Sequence, residues 1–118
     1  MMKIAFPFAM LAALAAAPAL ATSGLQCRPT SGSGPVLDLL VGHGAGPALV
    51  AARLGGKPMT VAQSWIDPHH LWLDLVDANA TRYEGKLRAI FQPKLRGRPA
   101  LGTLVRGGRT YRVRCVES

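Results

Sequence analysis

A chain of 118 residues with two cysteines and a net charge of +8 makes one small domain. That length excludes a multidomain architecture and a doubly wound nucleotide-binding sheet, and the lack of a Cys-x-x-Cys pair excludes a dithiol redox site. The basic balance points toward anionic partners, and it is uneven: residues 82–118 hold ten basic side chains against two acidic ones, whereas residues 22–81 hold three against four.

The chain opens on a targeting pattern. Lys3 supplies a positive charge, residues 4–20 are uncharged and rich in Ala and Leu, and Ala19-Leu20-Ala21 has the small-x-small form a signal peptidase reads. Pro7, Pro18 and the cleavage pattern argue against a membrane anchor of similar length. Residues 1–21 are therefore expected to be a cleaved signal peptide. Residues 22–118 would then be a single domain without a transmembrane segment, periplasmic or secreted. Cys27 and Cys115 stand near the two ends of that domain, and in an exported protein they read as one disulfide joining the first and last strands.

Residues 25–28 form a short first strand carrying Cys27, followed by a Pro/Ser/Gly loop at 29–35 and an apolar strand at 36–41. Gly42-x-Gly44-x-Gly46 then breaks the chain. It lacks both the Gly-x-Gly-x-x-Gly spacing and the Lys-Ser/Thr ending of a phosphate-binding turn, and it reads as a loop. Residues 48–54 fit two states: a short helix between Pro47 and Gly55, or a strand closed by Gly55-Gly56. The strand is preferred, since two turns are short for a helix and residues 59–66 are also extended. Asp67-Pro68-His69-His70 turns the chain into a hairpin over residues 71–91. Its arms place Leu71, Leu73 and Leu75, then Tyr83, Gly85, Leu87, Ala89 and Phe91, on single faces. Asp77-Ala78-Asn79-Ala80 makes the turn between them. Residues 92–99 form a polar, basic loop. A last hairpin, residues 100–106 and 109–116, folds about Gly107-Gly108.

Seven or eight short strands at this spacing predict a mostly β domain, a small antiparallel barrel or sandwich. Trp65, Leu71, Leu73, Leu75, Tyr83, Leu87, Phe91, Tyr111 and Val113 are its expected core.

For function, the basic C-terminal region is the most specific feature. Lys86 and Arg88 share one outer strand face, Arg112 and Arg114 another, and Lys94, Arg96 and Arg98 occupy a loop. If the two strands are neighbours, these side chains form one surface attractive to phosphates or carboxylates. The expected function is a non-catalytic binding module for an anionic cell-envelope component, an envelope polymer or lipid headgroups. Nucleic acid is not the expected partner, because export removes the occasion to meet it and few aromatics accompany the arginines. No cofactor is expected. No Gly-x-Ser-x-Gly turn is present, and no catalytic residue is assigned. One alternative is a small periplasmic hydrolase or metal-dependent enzyme using His43, Asp67 and His69, although adjacent His69 and His70 on an extended chain would point to opposite faces. Another is an accessory protein that binds an envelope protein through exposed apolar residues such as Trp72.

Overall fold

The computed structural model describes residues 22–43 and 47–118. The expected signal segment, residues 1–21, lies outside the described residues, as do Gly44 and Gly46 of the glycine loop. Eight strands follow one another: β1 (Thr22–Pro29), β2 (Leu37–His43), β3 (Pro47–Leu54), β4 (Lys57–Ile66), β5 (His70–Val76), β6 (Tyr83–Phe91), β7 (Ala100–Arg106) and β8 (Arg109–Glu117). Each is antiparallel to the next, and β8 returns to β1 to close a barrel. Residues 48–54 are not helical. They belong to β3, whose register with β2 runs from Leu54 opposite Leu37 to Pro47 opposite His43. A seven-residue helix would leave most of its end groups unpaired, whereas the strand satisfies them along β2.

The turns explain why the strands reverse where they do. Gly55 and Gly56 have φ of 60° and 82°, and Gly107 and Gly108 have φ of 58° and 77°. Two consecutive positive φ values define the two-residue turn whose twist matches antiparallel strands. At residues 77–82 a side chain does the work instead. Asp77 accepts hydrogen bonds from the Thr81 hydroxyl and from the Thr81 and Arg82 amides, and these hold its carboxyl below the usual carboxylate range.

An eight-stranded barrel has an interior just wide enough to be filled by side chains. Here leucine fills it: Leu37, Leu54, Leu71, Leu73, Leu75, Leu87 and Leu104 are completely buried. Strand alternation then sends Asp38, Lys86, Arg112 and Arg114 outward. The inside is apolar and the outside mixed, since Leu40, Ile90 and Val116 are exposed beside these charged groups. An apolar, filled interior differs from the polar lumen of a lipid-embedded barrel. Among the described residues, no helix is long and apolar enough to cross a membrane.

Two expected core residues are on the outside. Trp65 is 50% exposed and Tyr83 69% exposed, while Phe91 and Tyr111 pack against the leucine core from its margin. The cause is a pair of β-bulges. Val61 faces Leu75 and Gln63 faces Asp74, so Ala62 is an extra residue. Leu75 faces Gly85 and Val76 faces Tyr83, so Glu84 is another. One inserted residue reverses the alternation beyond it, and Trp65 and Tyr83 turn outward.

Cys27 and Cys115 form the disulfide, directly opposite each other across the β1–β8 seam and 88 residues apart in sequence. The bond therefore ties together the first and last strands. The β3–β4 seam is short by comparison: its register holds three pairs next to the Gly55-Gly56 turn, from Leu54–Lys57 to Ala52–Met59. Beyond Met59, β4 is in register with β5 among the described residues, and Ala62 to Trp65 form a continuous exposed run there.

Two stability predictions follow from this architecture. Replacing both cysteines with serine should lower the unfolding free energy by about 4 to 5 kcal/mol on chain-entropy reasoning, read as a shifted urea midpoint. The wild-type protein under reductant should show the same shift. Gly102 lies inside the barrel opposite Ala89, and a β-carbon there would fall on the Arg88 carbonyl. Gly102→Ala should therefore cost more than about 2 kcal/mol, because the obstacle is backbone and cannot rotate away.

Candidate binding surface

The strand registers line up five outward side chains in one row across consecutive strands. Trp65 on β4 faces Trp72 on β5, Trp72 faces Arg88 on β6, Arg88 faces Thr103 on β7, and Thr103 faces Arg112 on β8. With neighbouring strands about 4.8 Å apart, the row is roughly 19 Å long. An open groove runs along each half. Gln63, Trp65, Trp72, Asp74 and Arg88 line one, and Thr30, Leu101, Thr103 and Arg112 line the other.

The aromatic end is organised by a single carboxylate. Asp67 Oδ1 accepts from the backbone N–H groups of His69 and His70 at 2.7 and 2.6 Å, and Asp67 Oδ2 accepts from Trp65 Nε1 at 2.7 Å. His70 Nδ1 lies 3.0 Å from both oxygens. Partial desolvation opposes ionisation of this carboxyl, but the backbone donors and the His70 and Trp65 side chains outweigh it and hold the group far below the ordinary value of 3.8. The two rings that Asp67 holds are stacked, with centroids 4.6 Å apart. Trp72 meets both edge-on at 5.0 Å, a favourable arrangement for aromatic quadrupoles.

Arg88 joins this corner to the rest of the row. Its Nη1 donates to the carbonyls of Leu73 and Leu87, and its Nη2 donates to Asp74 Oδ1 at 2.9 Å. The guanidinium also lies 5.4 Å from the Trp72 ring centroid, within cation–π range. Asp74 is only 7% exposed although it sits on the outer wall, whereas the Arg88 side chain is a third exposed.

The expected basic face is thus divided. β6 and β8 are not neighbours, since β7 separates them, and Arg88 is neutralised by Asp74. Lys86 stands opposite Asp74 in register, without an ion pair. Arg112 and Arg114 are exposed, and Arg114 faces Arg28 of β1, a basic partner that sequence reading did not include. Lys94, Arg96 and Arg98 are exposed in the loop from β6 to β7, which hydrogen bonds from Gln92 N to Pro99 O and from Arg98 N to Leu95 O fix in shape. The described residues hold two ion pairs between permanently charged side chains, Arg82–Glu84 and Asp74–Arg88, besides the Asp67–His70 contact. The remaining candidates of the basic face therefore carry net positive charge toward solvent.

Of the residues of the enzymatic alternative, Asp67 has its oxygens occupied by the donors above, His69 is an exposed turn residue, and the His43 side chain lies outside the described residues. Among the described residues, no group of three His, Cys, Asp or Glu side chains could hold a metal ion. Comparison with protein-family models, with curated proteins and with solved structures finds no match, so the reading of this surface rests on its residues alone.

The Asp67 hub carries a pH signature. A carboxyl whose pKa is depressed by folding contributes stability that is complete above its unfolded value and is lost as acid protonates the folded group. The near-UV circular dichroism of the Trp65–Trp72 pair should therefore persist as pH falls through 3.8 and collapse only in stronger acid. In Asp67→Ala it should be weak at every pH. A wild-type midpoint at or above 3.8 would contradict the assigned role.

Proposed function

We propose that this protein is an exported, non-catalytic binding module for an anionic polymer of the cell envelope, held along the row from Trp65 to Arg112. The observation that carries this reading is the register itself. Two tryptophans and two arginines, with Thr103 between the arginines, occupy one outward row across five strands, where ordinary alternation would require only solvated side chains. Planar aromatic surface with guanidinium groups at strand spacing suits a chain bearing both flat apolar units and acidic groups.

The location is part of the proposal. A disulfide at the barrel seam is compatible with an oxidising compartment, and the Lys3 and Ala19-Leu20-Ala21 pattern supports export into the periplasm or beyond. Arg112 ends the row, Arg114 lies beside it on the same outward face of β8, and the exposed Arg96 and Arg98 of the β6–β7 loop widen the positive field. The packed leucine interior favours an outer-surface site over an internal ligand.

Binding to peptidoglycan, lipopolysaccharide and anionic vesicles across a salt series tests the reading. Affinity should fall as salt rises, because exposed charges are screened. Arg112→Glu combined with Arg114→Glu should weaken binding at low salt by at least about tenfold, the equivalent of losing one charge-assisted contact. Both residues are exposed, so the fold should survive. Absence of binding to all three at low salt would overturn the proposal.

A further inference from the structure

We infer that the groove between Trp65 and Arg88 is a sugar-ring subsite, so that the polymer bound along the row is an acidic glycan. This deepens the polyanion reading and rests on it for the charged part of the ligand only. The corner has four features that a solvated wall does not need. Trp65 is half exposed yet fixed in orientation, by its Nε1–H on Asp67 and by His70 stacked on one face. A ligand meeting it does not have to freeze a mobile ring, and that pre-organisation raises affinity. Second, the Asp74–Arg88 pair lines the groove with its carboxylate buried and its guanidinium a third exposed to solvent. A pair open on one side adds little to stability, and its exposed guanidinium edge is available to a ligand.

Third, the groove is locally neutral although the protein is strongly basic. Arg88 retains its Nε–H and one Nη2–H outside the hydrogen bonds to Leu73, Leu87 and Asp74, and Asp74 Oδ2 takes no hydrogen bond from the described residues. Gln63, exposed and directly opposite Asp74, offers both a donor and an acceptor. Paired donors and acceptors around an aromatic platform match a ring that presents hydroxyl groups at its edge and C–H groups on its face. A phosphate or sulfate would meet the Asp74 carboxylate instead and be repelled. Fourth, the row crosses the strands, and their spacing of about 4.8 Å is close to the rise of one sugar unit in an extended glycan. A ring on Trp65 and Trp72 would then direct the following units over Thr103 to Arg112, where a carboxylate finds an exposed guanidinium.

The oxidised protein should be titrated with three probes: neutral oligomers of N-acetylglucosamine, hyaluronate as their acidic counterpart, and phosphatidylglycerol–phosphatidylcholine vesicles. The readouts are affinity and the indole N–H resonances of Trp65 and Trp72. Hyaluronate should bind tightest, the neutral oligomers more weakly and without salt dependence, and both should shift the Trp65 and Trp72 resonances. Trp65→Ala should weaken both sugars at least about tenfold, as loss of a central aromatic anchor does. Gln63→Ala, an exposed change that leaves the aromatic corner intact, should weaken both by a smaller factor. Arg112→Glu should weaken hyaluronate alone. Binding to vesicles without binding to either sugar would overturn the glycan inference and leave the polyanion reading standing. Binding to the neutral oligomers with no preference for hyaluronate would do the opposite. Sugar binding that is indifferent to both Trp65→Ala and Gln63→Ala would remove the subsite from this groove.

Discussion

The structure depends on the narrowness of an eight-stranded barrel. With eight strands the inward positions have room for side chains and little else, and the chain assigns leucine to most of them. Inward side chains from all eight strands meet in one cluster, so packing, register and closure are the same constraint. Cys27 and Cys115 belong to that cluster as well as to the seam, and the covalent bond and the packing act on the same pair of strands. Chemistry is thereby displaced to the outer wall and to the rims.

On that wall, order does not come from burial. The corner of Trp65, His70 and Trp72 is held by one turn carboxylate, Asp67, which accepts from main chain and side chains together. The same residue shapes the β4–β5 turn and aims the ring of β4, so the local fold and the geometry of the groove share a cause. The bulge at Ala62 is the second requirement. Without that extra residue Trp65 would point into the leucine core, and the row across the strands would begin at Trp72.

This also explains what was legible in the sequence. Alternation in residues 71–75 and 85–91 placed Leu71, Leu73, Leu75 and Leu87 inside, and the Gly107-Gly108 and Gly55-Gly56 pairs marked two reversals. Those readings use local rules only, and the structure agrees with them. A bulge has no comparable local signature. Counting by twos from Val61 places Trp65 inside, and counting by twos from Gly85 does the same for Tyr83, so both aromatics were expected in the core. Likewise the outward direction of Arg88, Arg112 and Arg114 was readable, but which strands are adjacent was not. Strand order placed β7 between the two basic strands, and the ion pair with Asp74 removed Arg88 from the open positive set.

Net charge is consequently a poor summary of this surface. The chain carries +8, yet the groove at the aromatic end contains one arginine balanced by one aspartate, and the unbalanced cations lie farther along the row and around the rim. A partner recognised by charge alone would settle on β8 and the loop at residues 92–99, and it would have no use for an oriented tryptophan. A partner recognised by its rings alone would have no use for Arg112. Both features occupy a single register row, with the rings at one end and the exposed charge at the other, which is why the proposed ligand is one that carries rings and charges on the same chain. For such a ligand the affinity divides in two: a part from the aromatic corner that salt leaves unchanged, and a part from the exposed arginines that salt removes. Arg88 stands at the division, with its charge satisfied by Asp74 and its face on Trp72.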